Sequence, residues 1–132
     1  MENKSWDDIA ERIRTIHFNE QFDFIVAIAN GGIIPAALLN QRFGYDVQLL
    51  KLNLRDAQQN KLYDKPKLLE PIKFDFEAKT ILLVDDRIKT GTTIVYAKEL
   101  LAKAAVIKTF AVNGDADYCL YNESCFRVPW RI

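Results

Sequence analysis

Two kinds of pattern organise the apolar and polar positions of this chain. Phe22 to Ala29 is apolar except at Asp23, and Val47 to Leu52, Lys79 to Val84 and Val106 to Val112 are similar runs. Short runs of this kind fit strands buried on both faces of a parallel sheet. Between them the apolar residues take helical spacing. Ser5 opens a first helix on which Ile9, Ile13 and Ile16 form one face, and Asp8, three residues after Ser5, completes a capping box with Asp in place of Glu. His17 closes that segment as an ordinary surface or packing residue. Asn30-Gly31-Gly32 ends the Phe22–Ala29 run, and Ile33 to Leu39 then reads as a helix with Pro35 in its first turn and Gly44 as its stop. A further helix is expected over Thr93 to Lys103, burying Ile94, Ala97, Leu100 and Leu101. Pro71 to Phe76 is expected as a short edge strand, and Phe126 to Trp130 as a last short strand or an ordered tail.

Strands that alternate with helices predict an α/β fold, a mostly parallel sheet with helices on both faces. Residues 53–70 interrupt the alternation. They are polar, carry Pro66, and read as an exposed, mobile loop. A loop of that length inside a small domain points to function.

Composition narrows the picture. The chain has 132 residues, enough for one domain over 1–132 and too few for two. Lys plus Arg and Asp plus Glu both number 18, so the net charge is zero and bulk electrostatics offer no case for a nucleic-acid or membrane partner. No apolar run reaches membrane-spanning length, and the polar start Met-Glu-Asn-Lys-Ser-Trp is not a signal peptide. A cytoplasmic protein is the expectation. Cys119 and Cys125 are the only cysteines and His17 the only histidine, so free thiols are expected rather than a disulfide or a metal site.

The chemistry concentrates in Ile81-Leu82-Leu83-Val84-Asp85-Asp86-Arg87-Ile88-Lys89-Thr90-Gly91-Thr92-Thr93. An apolar strand runs into two carboxylates, and a small hydroxyl-rich loop then opens a helix. Ligands of parallel α/β sheets bind at that edge. Loop amides and a helix N-terminus suit a phosphate, while Asp85 and Asp86 can accept from a sugar diol or approach a metal ion. Together they indicate a ribose-phosphate ligand. The plain alternative is an Asp-Asp turn followed by a threonine helix cap. The upstream Gly31-Gly32 turn makes that the weaker reading. Receiver domains also carry an acidic pair, but near the chain start.

Val84-Asp85-Asp86 through Thr90-Gly91-Thr92-Thr93 resembles the phosphoribosyl-diphosphate (PRPP) motif of the type I phosphoribosyltransferases. Ala29-Asn30-Gly31-Gly32 resembles that family's pyrophosphate loop, residues 53–70 its flexible catalytic loop, and Asp117-Tyr118 with Val128-Pro129-Trp130 the hood of its bacterial xanthine-guanine and hypoxanthine branch. The resemblance implies a Rossmann-like core with a small hood. It also implies transfer of phosphoribosyl from PRPP to a nucleobase, a purine in salvage, with release of pyrophosphate. In that reading Asp85 and Asp86 hold the ribose and act on the reacting centre. Lys89, Thr90, Gly91, Thr92 and Thr93 take the 5′-phosphate side. Ala29, Asn30, Gly31 and Gly32 approach the pyrophosphate. Mg2+ is the implied cofactor, held mainly by substrate oxygens and water and only indirectly by Asp85 and Asp86, and a homodimer is the implied assembly.

Three departures from the family pattern involve four positions. Lys89 stands where 6-oxopurine enzymes carry an Asp near N7 of the base, as the adenine branch also lacks it. Asn30 replaces a frequent cation before Gly-Gly, for which Lys51 or Arg55 are candidate substitutes. Asn113 and Cys125 occupy the places of a base-reading Lys and a stacking aromatic. The base pocket is therefore assigned to Asn113, Tyr118, Phe126 and Trp130, with core or partner packing as the competing role of the aromatics. These departures sustain an alternative, a non-catalytic or weakly active domain that binds PRPP or a nucleotide as a regulatory signal.

Overall fold

The computed structural model describes residues 2–53 and 67–132. Its first helix, α1 (Trp6–Thr15), begins where the capping box requires. The Ser5 hydroxyl accepts from the Asp8 amide at 3.0 Å, and the Asp8 carboxylate accepts from the Ser5 amide at 2.8 Å. Two of the four orphan amides of the helix start are satisfied in this way. Ile9 and Ile13 are buried, while Ile16 is the extended C-cap.

Strand β2 (Phe24–Ala29) follows, then helix α2 (Ile33–Phe43), closed by Gly44 in the left-handed region. Strand β3 (Val47–Asn53), the two-residue β4 (Lys67–Leu68), β5 (Thr80–Arg87), helix α3 (Thr92–Leu100), β6 (Val106–Asn113) and β7 (Tyr118–Tyr121) complete the main body. Six strands form one sheet in the order β4-β3-β2-β5-β6-β7. All neighbours are parallel except β3 and β4. Asp23, the one polar residue in its run, stays outside β2. Its carboxylate accepts from the Thr80 amide at 2.7 Å and so ties the start of β5 to β2.

The central strands show why the sheet is double-sided. Leu82 and Val84 of β5 join α1, α2 and Phe110 in one core, and Ile81 and Leu83 join Ile94, Ala97 and Leu101 in the other. Alternate residues of a strand point to opposite faces, so a continuous apolar run feeds both layers. The α/β reading, a mostly parallel sheet with helices on both faces, holds.

Several expectations are corrected. Pro71 to Phe76 is not a strand. Its alternating Ile72, Phe74 and Phe76 instead cover the α3-side core, with Phe74 packed edge-on to Phe24 at 5.7 Å. The edge strand is β4, where Asn53 pairs with Lys67 and Leu52 with Leu68. The expected loop over 53–70 falls mainly on residues 54–66, outside the described residues. Strand β5 runs through Asp85 and Asp86 rather than stopping before them, and α3 spans Thr92–Leu100 rather than reaching Lys103.

Two further strands were not expected. β7 returns parallel to β6 after only residues 114–117, because its register steps back so little that Phe110 lies beside Tyr118. Parallel neighbours normally need a long crossover. Here Asp117 holds the return, its carboxylate accepting from both the amide and the hydroxyl of Thr109. The other is β1 (Glu2–Asn3), which pairs in parallel with β8 (Phe126–Arg127) in a separate two-stranded sheet. Thus Phe126 to Trp130 supplies a strand of two residues, paired with the N-terminal segment and not with the main sheet.

Candidate functional site

The site is built at the carboxyl edge of the sheet, from the ends of β2, β5 and β6. Asp85 and Asp86 project to opposite faces as neighbours on a strand must. The face of Asp86 is that of Leu82 and Val84, toward α2. The Asp86 amide donates to Asp85 Oδ1 at 2.8 Å, which fixes the first carboxylate. Loss of hydration pushes the Asp85 carboxyl well above the usual carboxylate range. The negative charge of Asp86 pushes it further, and Arg87 opposes both.

The turn after β2 lies against this strand. A Cβ on Gly31 would fall 2.5 Å from Asp86 Oδ1 and 2.7 Å from its Cγ, and one on Gly32 would fall 2.3 Å from the Val84 carbonyl oxygen. Only glycine lets two backbones and a carboxylate meet so closely. The Ala29–Asn30 peptide is cis. Thus the glycine turn and the acidic pair, separated by more than fifty residues of chain and treated above as two motifs, form one surface.

Beyond Asp86 the chain is held from the β6 side. The Ile88 amide donates to the Asn113 carbonyl at 3.0 Å, and Gly114 packs so closely that a Cβ there would meet the Ile88 carbonyl oxygen at 2.6 Å. The chain then turns outward at Lys89 and Thr90, both exposed. Gly91 takes φ +80°, a left-handed conformation suited to glycine, and is the N-cap of α3 without a side-chain cap. The hydroxyls of Thr90 and Thr92 lie 3.0 Å apart over this helix start, and Thr93 follows in the first turn. Lys89, Thr90, Gly91, Thr92 and Thr93 thus form one exposed-to-half-buried rim beside Asp85 and Asp86.

The residues assigned to a base pocket do not gather there. Asn113, at the end of β6, is buried, and its side-chain amide is engaged with the hood. Nδ2 donates to the Glu123 carbonyl at 3.1 Å, and Oδ1 accepts from the Glu123 amide at 3.0 Å. Tyr118 begins β7 well behind the sheet edge. Its hydroxyl donates to Glu20 and accepts from the Asn19 amide, and its ring packs edge-on to Phe18 at 4.8 Å. Phe126 is buried against Tyr121, with Lys4 Nζ 5.2 Å from its centroid. Trp130 stacks at a tilt on Trp6, 5.7 Å between centroids. The three aromatics pack the core and the hood, because the β1–β8 pairing draws the tail toward the N-terminal segment.

Arg87 also belongs to this edge, although its local sequence assigns it no role. Arg87 directly follows the acidic pair, stands opposite Asn113 in the β5–β6 register, and donates from Nη1 to Cys125 Sγ at 3.6 Å. A cation at the end of an otherwise apolar strand was the available signal. Of the candidate cations for the pyrophosphate turn, Lys51 stands beside Ala29 in the β2–β3 register and is paired with Glu70 at 3.1 Å. Arg55 lies outside the described residues.

The acidic pair, the glycine turn and the hydroxyl-rich helix start all lie at the carboxyl edge of a mostly parallel α/β sheet, the edge at which ligands of such sheets bind. The chain belongs to the phosphoribosyl transferase domain family, whose model matches residues 3–115. A xanthine-guanine phosphoribosyltransferase of Chromohalobacter salexigens is 34% identical over 113 residues, covering 81% of this chain and 65% of the relative. One of Idiomarina loihiensis is 24% identical over 112 residues, covering 81% of this chain and 68% of the relative. The chain spans between 54% and 68% of the length of the curated relatives it matches. A solved purine phosphoribosyltransferase from Pyrococcus horikoshii shares the fold with a TM-score of 0.82 at 22% identity, covering 98% of this chain and 93% of that one. Among the described residues no helix is long and apolar enough to cross a membrane.

Proposed function

We propose that this chain, acting as a single domain, transfers the phosphoribosyl group of PRPP to a purine base and releases pyrophosphate. The observation that carries the reading is the close approach of Gly31 to Asp86, which sets the glycine turn beside the acidic pair. Family membership and the names of the curated relatives support it.

The residues divide the substrate among them. Asp85 and Asp86 accept from the ribose hydroxyls. As the bond to pyrophosphate lengthens, positive charge develops at the anomeric carbon, and the carboxylates favour it electrostatically. The amides and hydroxyls from Thr90 to Thr93 receive the 5′-phosphate at the α3 N-terminus. Ala29, Asn30, Gly31 and Gly32 present backbone to the leaving pyrophosphate. The incoming base nitrogen forms the new bond as the pyrophosphate oxygen departs with the bonding electrons, and the proton of that nitrogen passes to water or to the departing pyrophosphate.

The donor set fits Mg2+ in one particular way. Among the described residues no three His, Cys, Asp or Glu side chains gather as a metal cage. Asp85 and Asp86 alone suit an ion that keeps most of its coordination on substrate oxygens and water. Bound there, Mg2+ would neutralise charge on the leaving pyrophosphate. A cytoplasmic homodimer accompanies this reading.

Calorimetry with PRPP and Mg2+, followed by addition of each common nucleobase, tests the proposal. Pyrophosphate release with a purine is the expected result. Tight binding without release from any base would replace it with the regulatory reading, which the uncharged Asn30 and the Lys89 substitution favour.

A further inference from the structure

The last residues fold back on the N-terminal segment and leave a cleft on the hood. Strand β8 pairs with β1, which puts Asn3 opposite Arg127. Residues opposite each other in a ladder share one face of their sheet. The Lys4 amide donates to the Arg127 carbonyl at 2.9 Å and continues the pairing. The chain then turns through Pro129 and Trp130, and the Arg131 amide donates to the Val128 carbonyl at 3.3 Å. Arg127 Nη2 donates to the Arg131 carbonyl at 3.1 Å, which ties the turn to the strand. The result is an open cleft of about 290 Å³ lined by Asn3, Lys4, Arg127, Val128, Pro129 and Arg131. None of these residues belongs to the acidic pair, the glycine turn or the Lys89–Thr93 rim.

The charge of this cleft is one-sided. Its lining holds three cations and no acid. Lys4 is already compensated. Its ammonium pairs with Glu2 at 3.1 Å and with Glu123 at 2.9 Å, and it lies 4.5 Å from the centroid of the Tyr121 ring. Those two carboxylates are thereby engaged. Arg127 and Arg131 have no acidic partner among the described residues, and both are exposed. The chain as a whole has zero net charge, so this local excess comes from the way β1, β8 and the turn are brought together.

We propose that this cleft is a second anion site, separate from the phosphoribosyl edge, that takes a small phosphate monoester of a sugar or nucleoside. A guanidinium presents a planar fork of N–H donors that matches phosphate oxygens two at a time. Arg127 commits one donor to the Arg131 carbonyl, and the Arg131 side chain commits none among the described residues. A phosphate monoester carries about two negative charges at neutral pH. It therefore matches the two uncompensated guanidiniums, where a carboxylate would supply only one charge. Asn3, on the face of Arg127, adds an amide that can donate to a phosphate oxygen or pair with a hydroxyl. Val128 and Pro129 give an apolar wall for the carbon skeleton. The volume lies at the lower end of the roughly 300–1,000 Å³ range of ligand pockets, which suits a molecule of mononucleotide size or smaller.

The test follows backbone amide shifts of the full chain by NMR while ribose 5-phosphate is added in chloride buffer. Two separate sets of amides are expected to move, Lys89–Thr93 at the edge and Asn3, Lys4 and Arg127–Arg131 at the cleft. Arg131→Gln should weaken the cleft response about tenfold or more and leave the edge response unchanged. Arg127→Gln combined with Arg131→Gln should abolish it. Arg127→Lys combined with Arg131→Lys keeps the charge but not the fork, and should recover part of the response. Should the double variants fail to fold, Arg131→Gln decides alone. Inorganic phosphate should bind more weakly, since it leaves Val128 and Pro129 uncovered. Equal affinity for it would overturn the ester in favour of the free ion. Cleft amides that stay still up to roughly 10 mM ribose 5-phosphate, or that move as far with sodium acetate, would overturn the site. A response confined to Lys89–Thr93 would refute the cleft and leave the function proposed above standing.

Discussion

Gly31 and Asp86 are in contact so close that the smallest side chain at position 31 would overlap the carboxylate, at 2.5 Å from Oδ1. Asp86 can answer an added methyl only by swinging its carboxylate away from the site. Gly31→Ala should therefore leave the fold intact and weaken PRPP binding about tenfold to a hundredfold, corresponding to overpacking of about 1–3 kcal/mol. Calorimetry reads the affinity and circular dichroism the fold. Gly32 is the contrasting case. Its Cβ would strike the Val84 carbonyl and the Ile28 backbone, neither of which can rotate aside. Gly32→Ala should lower the melting temperature sharply or abolish folding. Equal stability in the two variants would refute this distinction.

Asp85→Asn combined with Asp86→Asn removes both charges but keeps the shapes. Hydrogen bonds to charged groups contribute about 1.5–3 kcal/mol each, so PRPP affinity should fall by about tenfold or more. Turnover should fall further, since the charge acts most on the transition state. A double variant with wild-type affinity and turnover would move the ribose elsewhere.

The Asp85 carboxyl titrates well above its ordinary value of 3.8. Between its unfolded and folded pKa such an acid is protonated in the native state while already ionised in the unfolded one. Over that interval the native state binds more protons, so stability falls as pH rises from about 3.8 through the folded pKa. Asp85→Asn removes this penalty. The variant should melt above the wild type at neutral pH, and the gap should close as the pH approaches 3.8. Thermal melts from pH 4 to pH 8 measure it, and a gap that widens on acidification would contradict the assigned environment.

Asn113 joins β6 to the hood through its side-chain bonds to Glu123 and Ser124. Asn113→Ala removes its side-chain hydrogen bonds to the Glu123 backbone, at about 0.5–1.5 kcal/mol each. Denaturant titration should show that loss in the midpoint. Amide exchange should accelerate in the Glu123–Arg127 segment more than in β2 or β5.

Much of this structure is legible along the chain because local patterns and long-range packing agree. The Ser5–Asp8 capping box is complete within four residues, and the buried strands announce themselves as apolar runs. The acidic pair and the rim from Lys89 to Thr93 are contiguous, so their grouping needs no tertiary information. What local patterns do not carry is pairing. Glu2 and Asn3 become a strand only because Phe126 and Arg127 lie beside them, and β7 depends on the Asp117–Thr109 clasp. Pro71 to Phe76 misleads for the converse reason. Its period-two alternation arises from covering a core, and Pro71 also lacks the donor that a strand would use. The aromatics Tyr118, Phe126 and Trp130 are ambiguous in a sequence, since a ring that stacks on a ligand and one that fills a core look the same. Arg87 becomes interpretable only when Cys125 appears opposite it.

The β5–β6 ladder continues past the acidic pair, to Arg87 beside Asn113, whereas β5 leaves β2 at Val84 beside Ala27. Asp85 and Arg87 are therefore held in the longest strand ladder among the described residues, while Thr90 and Thr92 sit on its exposed rim. In the proposed binding mode, the conformational entropy surrendered when the ligand binds is then concentrated at its phosphate end. The sugar end meets groups already immobile, so heat and entropy of binding will respond mainly to changes between Lys89 and Thr93.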